Sequence, residues 1–139
     1  MATSRNFKQF HQRIVLTAKV VGVGATKIVR KAAVAMDTTA AMTTPVDTGR
    51  AWGNWRTSIG SPLLGETGAL GPTAGPEAVL AGAAVIATWK PGMGAIYVAN
   101  SVPYIKVLDE GHSGQAPQGM TRFAIAAAKR ELRKGGLLR

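Results

Sequence analysis

The first forty residues carry one apolar stripe. Phe7, Phe10, Ile14, Ala18, Val21, Ala25, Ile28, Ala32 and Ala35 recur at steps of three and four, the spacing of a single helix face. Arg5, Lys8, Lys19, Lys27, Arg30 and Lys31 fall largely off that stripe. The pattern predicts one long helix over 5–41, with Ser4 as its N-cap. At 1.5 Å per residue it would run about 50 Å, long enough for one end to reach a neighbouring subunit. Gly22 and Gly24 weaken its middle by roughly 1 kcal/mol each, which suits a kink or the close approach of another helix. Pro45 ends it.

Beyond Pro45 the period changes. RAWGNWRTSIG, 50–60, sets Trp52, Asn54 and Arg56 against Ala51, Gly53, Trp55 and Thr57, the alternation of a strand. GSPLLGETGALGPTAGP, 60–76, holds five Gly and three Pro in seventeen residues and reads as a flexible loop, of a length that in compact domains is usually functional or disordered. Pro76 and Glu77 open a second helix, which stops at the Lys90-Pro91-Gly92 turn. AIYVANS, 95–101, reads as a strand, and PYIKVLDEG, 103–111, as a short helical stretch ended by Gly111. HSGQAPQG is a loop. MTRFAIAAAKRELRK, 120–134, is an amphipathic C-terminal helix with basic last turns, and GGLLR is an end that frays or is held by a partner. The pattern predicts one α+β domain, with a long N-terminal helix and a C-terminal helix packed on a small, mainly antiparallel sheet.

Composition narrows the class. A chain of 139 residues that is 46% apolar buries a core without staples. With no cysteine, disulfides and thiolate metal sites are excluded, and assembly in a reducing cytosol is expected. Mean hydropathy is +0.09, and no window approaches the roughly eighteen consecutive apolar residues of a membrane span. The basic, polar start MATSRNFKQFHQR lacks the apolar stretch of a signal peptide.

Net charge is +10, with a pI near 10.8. Seven Lys/Arg precede the first acid, Asp37, and five more lie in 129–139. Such a balance suits contact with nucleic acid or with acidic protein surfaces. Aromatic residues make up only 6%, too few for a single-strand stacking platform, so the charge reads as a field rather than a base-reading surface.

Several stretches suggest chemistry. Asp47-Thr48-Gly49 matches the tripeptide of aspartic proteases, which need two such carboxylates in mirrored β-loops. A short chain could supply the second by dimerising, yet here a long helix and Pro45 precede the motif. A turn fits better: Pro45 presets φ, Asp47 accepts from the amides of Gly49 and Arg50, and Gly49 takes positive φ. VVGVGATK, 20–27, lacks the third glycine of the dinucleotide fingerprint and the Gly-Lys-Ser/Thr of a Walker loop. His112 follows Asp109 and Glu110, too close in sequence for a triad, and reads as a polar contact at a turn or subunit boundary. With only two histidines in the chain, a metal site is not expected. Trp52, Trp55, Trp89, Tyr97 and Tyr104 read as core or interface anchors. No cofactor is expected.

Two stretches together resemble the neck and tail-completion (head–tail joining) proteins of tailed bacteriophages. One is TPVDTGRAWGNW, after the long helix; the other is IYVANSVPYIKVLDEGHSGQAPQGMTRFAI. Pro45, Val46, Asp47, Thr48, Gly49 and Arg50 match the first element of that family, and Tyr104, Glu110 and Gly111 the second. The resemblance spans roughly 40–130.

The resemblance implies a non-enzymatic virion component, assembled in the host cytoplasm, that forms rings at the head–tail junction. The rings are hexamers foremost, with dodecamers as the larger form. It also implies neck, connector and tail proteins as partners, and no membrane. Lys19, Lys27, Arg30, Lys31, Lys129, Arg130 and Arg133 would then touch the phosphates of packaged DNA without reading sequence. Interface material is expected in 44–56, with Trp52 and Trp55, and in 104–119, with Asp109, Gly111 and His112. Arg50 and Arg56 are expected to pair with Asp109 or Glu110, within or between subunits, and the 60–76 loop to dock on head or tail proteins. The alternatives are a basic DNA-binding module and a small aspartic-type hydrolase using Asp47.

Overall fold

The computed structural model describes residues 12–16, 23–111, 114–116 and 118–138. Among these the chain is α+β. Strand β1 (Gln12–Leu16) is followed by helix α1 (Val23–Met42), strand β2 (Trp55–Ile59), helix α2 (Ala74–Ile86), strand β3 (Ile96–Asn100), the short helix α3 (Ile105–Asp109) and helix α4 (Thr121–Lys134). A single 3-10 turn, Trp52–Asn54, leads into β2.

The three strands form one antiparallel sheet in the order β1-β3-β2. Ile14 and Thr57 lie opposite Val98 on either side, and Leu16 and Ile59 lie opposite Ile96. Opposed residues share a face, so Ile14, Val98 and Thr57 point together into the core, where each is buried. Arg13, Ala99 and Arg56 share the opposite face.

The long helix expected over 5–41 is a correction. Residues 12–16 are a strand, and the helix begins at Val23 and runs for 20 residues, about 30 Å. Ser4, Arg5, Phe7, Lys8, Phe10, Ala18, Lys19, Val21 and Gly22 lie outside the described residues. The strand has a physical reason. In Arg13-Ile14-Val15-Leu16, exposed and buried positions alternate, and β-branched Ile14 and Val15 suit a pleated surface. A stepping pattern of three and four passed through Ile14 by coincidence.

Within α1 the buried line is Val29, Ala32, Ala33, Met36, Asp37, Ala40 and Ala41. This is the predicted stripe, turned by about one residue and extended. Its many alanines let other helices approach closely: α1 packs along both α4 and α2, while α2 and α4 make no substantial contact with each other. The main core joins Met36, Trp55, Val98, Ile105, Met120 and Ala124; a second cluster joins Val29, Ala33, Ile86, Trp89 and Ile96. Each fully buried large aliphatic side chain here contributes about 1.5–3 kcal/mol.

The strand expected to start at Arg50 starts at Trp55. The residues before it close a 3-10 turn, with the Gly53 amide donating to Gly49 O and the Asn54 amide to Ala51 O. The 60–76 stretch is a loop up to Thr73, with α2 beginning at Ala74. It is tied to the sheet: Ser58 Oγ donates to Ser61 O, Arg56 to Leu64 O, and the Gly65 amide to Ser101 Oγ. The second and C-terminal helices and the strand at 96–100 fall where the sequence placed them, within a few residues at each end.

Candidate functional site

The two stretches that carry the family resemblance meet in space. Pro45, Asp47, Thr48, Gly49 and Arg50 line a cleft of about 340 Å³, with Tyr104, Leu108 and Gln115 on its other wall. Elbow and wall are clasped by a reciprocal pair: the Val46 amide donates to Gln115 Oε1 at 2.9 Å, and Gln115 Nε2 donates back to Val46 O at 3.3 Å. A side-chain amide thus stands in for a neighbouring strand.

The elbow is held from beneath. Thr44 Oγ1 donates to Ala40 O at 2.6 Å, closing the end of α1, and accepts the Trp55 indole N–H at 2.7 Å. Trp55, fully buried, therefore fixes where the chain leaves the helix and where β2 starts. Buried Asn54 donates to Arg50 O and accepts the amide and hydroxyl of Thr67. Buried Asn100 donates to Ala51 O and accepts the amide of Val102. Asn54 thereby joins the elbow to the Gly/Pro-rich loop, and Asn100 joins it to β3. Satisfied on both sides, these amides avoid the ~1–3 kcal/mol that an orphaned buried polar group costs.

Gly49 takes φ +88°, and a β-carbon there would press on the Gly71 backbone, whose nitrogen lies only 2.8 Å from that position. The close approach has a purpose, since the Gly71 amide donates to Thr48 O at 2.8 Å. The turn is closed by Thr48, not Asp47: the Arg50 amide donates to Thr48 Oγ1. This corrects the expected Asp47 turn. Asp47 is exposed on the cleft wall and is the sole carboxylate among the residues that line it.

Arg50 makes a two-pronged pair with Glu66. Nε donates to Oε1 and a terminal nitrogen to Oε2, each at 2.7 Å. The bond raises the Arg50 pKa above its usual value and holds the Glu66 carboxyl below the usual range. The guanidinium also lies 5.5 Å from the Tyr104 ring centroid, a cation–π distance. Within one chain Arg50 therefore pairs with Glu66 rather than with Asp109 or Glu110, which corrects the expected pairing inside the subunit. Arg56 donates to backbone carbonyls of the loop. Asp109 is turned toward α4, where Oδ1 accepts the amides of Met120 and Thr121 at 2.9 and 2.8 Å and Oδ2 the Thr121 hydroxyl at 2.7 Å. It caps that helix from a distant segment, and a carboxylate is favoured at a helix N-terminus. Glu110 is exposed at the end of α3, and Gly111 follows at φ +90°. His112 and Ser113 lie outside the described residues. Trp52 is half-buried and its indole lies against Gly75 of α2.

A second hollow, of about 520 Å³, opens on the far side of the Val46–Gln115 clasp. Met42, Val46 and Phe123, all exposed, line it together with the polar Thr43, Gln115 and Gln118. Arg122 flanks it, its guanidinium 6.0 Å from the Phe123 ring centroid.

The expected phosphate contacts divide. Lys27 and Lys31 are exposed on α1, and Lys129, Arg130 and Arg133 on α4. Arg30 is half-buried and donates Nε to Trp89 O at 2.8 Å, so it ties α1 to the end of α2. Lys19 lies outside the described residues. Arg122, Lys129 and Arg133 are seven and four residues apart and share one face of α4.

Sequence reasoning missed Thr44, Asn54, Glu66, Asn100 and Gln115. Glu66 carried a usable signal: it is the lone charge in a long Gly/Pro-rich loop that follows a segment bearing two arginines, Arg50 and Arg56. Gln115 carried none, because its partner is backbone. No group of His, Cys, Asp and Glu that could hold a metal is present among the described residues, and no described helix is long and apolar enough to cross a membrane. The chain matches no family model, no curated protein and no solved structure.

Proposed function

We propose that the chain is a structural subunit of a tailed-phage particle, one of the ring-forming proteins at the head–tail junction that join the tail to the DNA-filled head. One observation carries this reading: the two stretches that resemble that family converge in a single cleft whose polar groups hold backbone. Thr48, Gly49 and Arg50 anchor the Gly/Pro-rich loop, Gln115 clasps the elbow, and Asp47 has no second carboxylate beside it on the cleft wall. The elbow borders a hollow with three exposed apolar side chains, Met42, Val46 and Phe123, which suits docking rather than turnover. A ring presents a different patch on each side of every subunit. Loop 60–73, together with Tyr104, Leu108 and Gln115, lies beside the elbow and would adjust to head or tail proteins.

The test is a mass measurement of the purified chain beside negative-stain images of particles that contain it. Closed rings, or density at the neck of the particle, are the expected result. A monomer that never enters particles overturns the reading, as does peptidase turnover abolished by Asp47→Asn.

A DNA-binding module is the second reading, favoured by the aligned cations of α4. On that reading the isolated chain holds duplex DNA with an affinity that falls steeply as salt rises. In the neck reading the same cations face the DNA conduit and bind weakly in isolation.

A further inference from the structure

The outward face of α2 is out of place on a cationic protein. Glu77, Leu80, Ala81 and Ala84 make up that face at helical spacing, and all are exposed. Leu80 is 72% exposed, the highest value of any large apolar residue described. A helix that is apolar nearly all round is normally covered, and nothing among the described residues covers the outer side. The charge pattern says what does. All seventeen Lys/Arg lie outside the stretch between Arg56 and Lys90, while two of the seven acids, Glu66 and Glu77, lie within it. Glu66 is neutralised by Arg50, which leaves Glu77 as the charge at the edge of this face. Another part of the same chain is complementary. The hollow sets Met42, Val46 and Phe123 among Thr43, Gln115 and Gln118, and a cation, Arg122, lies beside its Phe123 ring. The two patches sit on elements that both pack on α1 but make no substantial contact with each other, so one chain cannot join them.

We propose that the α2 face centred on Leu80 seats on the Phe123 hollow of the next copy of the chain, with Glu77 on the Arg122 side. This assignment rests on the ring reading above and names the faces that build the ring. The contact is heterologous, so it propagates from copy to copy and closes when the rotation allows. Pairing two α4 faces instead would set Arg122, Lys129 and Arg133 of one copy against the same cations of another, which is repulsive. The last turns of α4, with Lys129, Arg130 and Arg133, lie outside this contact, on the side that would meet phosphates.

The absence of cysteine makes the test clean. Leu80→Cys, Phe123→Cys and the double variant are prepared in the full chain, and both positions are exposed. Each is treated with a short bismaleimide, alone and as a mixture of the single variants. The expected result is a covalent ladder from the double variant, a dimer and nothing larger from the mixture, and monomer from each single variant alone. Leu80→Asp in the unmodified chain should raise the concentration for half-assembly by at least about tenfold, since it places a charge in an apolar contact. A dimer from Leu80→Cys alone means that α2 meets α2 and overturns the proposal. Rings that form without any Leu80–Phe123 cross-link, or that tolerate Leu80→Asp, overturn these faces and leave the ring reading standing. A chain that stays monomeric at every concentration overturns both.

Discussion

Asp37 places a carboxylic acid in the core, and that makes stability fall as pH rises. The residue is 1% exposed, on the buried line of α1 between β2 and α2. Neither carboxyl oxygen has a hydrogen-bond partner of proper geometry, nor does the adjacent Thr57 hydroxyl. Thr57 faces it from β2 and Gly82 from α2, and no charged group among the described residues offsets its burial. Burial pushes its pKa from 3.8 up to about 7, the nearby Thr57 hydroxyl opposing that rise. Below pH 4 folded and unfolded chains both carry the proton, and the carboxyl has no effect on the balance. Between about 4 and 7 only the folded chain holds it, so stability falls by about 1.4 kcal/mol per pH unit. Above 7 the loss levels off at roughly 4 kcal/mol, the span from 3.8 to about 7 multiplied by that slope. Asp37→Asn removes the ionisation and keeps the shape. Urea unfolding followed by tryptophan fluorescence at pH 5, 6, 7 and 8 on both proteins isolates this group, because histidines and other carboxyls cancel in the difference. The wild-type midpoint should drop relative to the variant by roughly 1 M urea per pH unit up to pH 7. A difference that stays flat, or that rises with pH, would refute the reasoning and place a cation or hydrogen-bond donors on the carboxyl in solution.

Other substitutions test the packing around the elbow and beneath α2. Gly82→Ala drives a methyl into Asp37 and Thr57, whose hydroxyl lies only 2.6 Å from the added carbon; an overpacking loss of about 1–3 kcal/mol is expected in urea unfolding. Gly49→Ala combines a positive φ with contact against the Gly71 backbone, and should cost about 1–3 kcal/mol. It should also speed limited proteolysis of the 60–73 loop. Asp109→Ala uncaps α4 and should cost about 1–2 kcal/mol by thermal unfolding, while Asp109→Asn keeps part of the cap and loses less. Arg50→Ala removes an exposed ion pair and should shift global stability by less than about 1 kcal/mol, yet release the loop to protease. Equal protease resistance in Arg50→Ala and wild type would mean that Glu66 does not anchor the loop.

What the sequence made legible follows from the range of each signal. The C-terminal helix, with small apolar residues inward and cations outward, states its period within a few turns, as does the Tyr-Val strand at 96–100. The N-terminal stretch misled because Ile14 satisfied two periods at once. A helical stripe and a strand alternation coincide over five residues, and the partner that decides between them, Val98, lies far along the chain. Trp55 was legible as an anchor, but its bond to Thr44 was not, because a threonine after a helix is a common cap and names no partner. Asp37 was invisible for the opposite reason. A lone acid after a run of cations reads as solvent-facing, and nothing local announces that Gly82 of α2 closes over it.

The Asp-Thr-Gly tripeptide shows why local chemistry needs tertiary context. Two readings shared the same requirements up to a point: a sharp turn, a positive φ at glycine and a carboxylate near the surface. They part on what lies across from the aspartate. A shared-proton site needs a second carboxylate within a few ångströms, held by a mirrored loop. The wall facing Asp47 is Tyr104, Leu108 and Gln115, and the neighbouring acid, Glu66, is bound to Arg50. Any second carboxylate would have to come from another copy through a cleft walled by its own elbow. The groups around Asp47 instead join segments distant in sequence: Thr48 to Gly71, Arg50 to Glu66, Val46 to Gln115. Substituting Asp47 alone should therefore leave the fold intact, with Asp47→Ala shifting the urea midpoint by no more than the roughly 0.5 kcal/mol typical of exposed sites. A loss as large as that of Gly49→Ala would mean the carboxylate is a structural acceptor after all, and the turn would have to be redrawn around it.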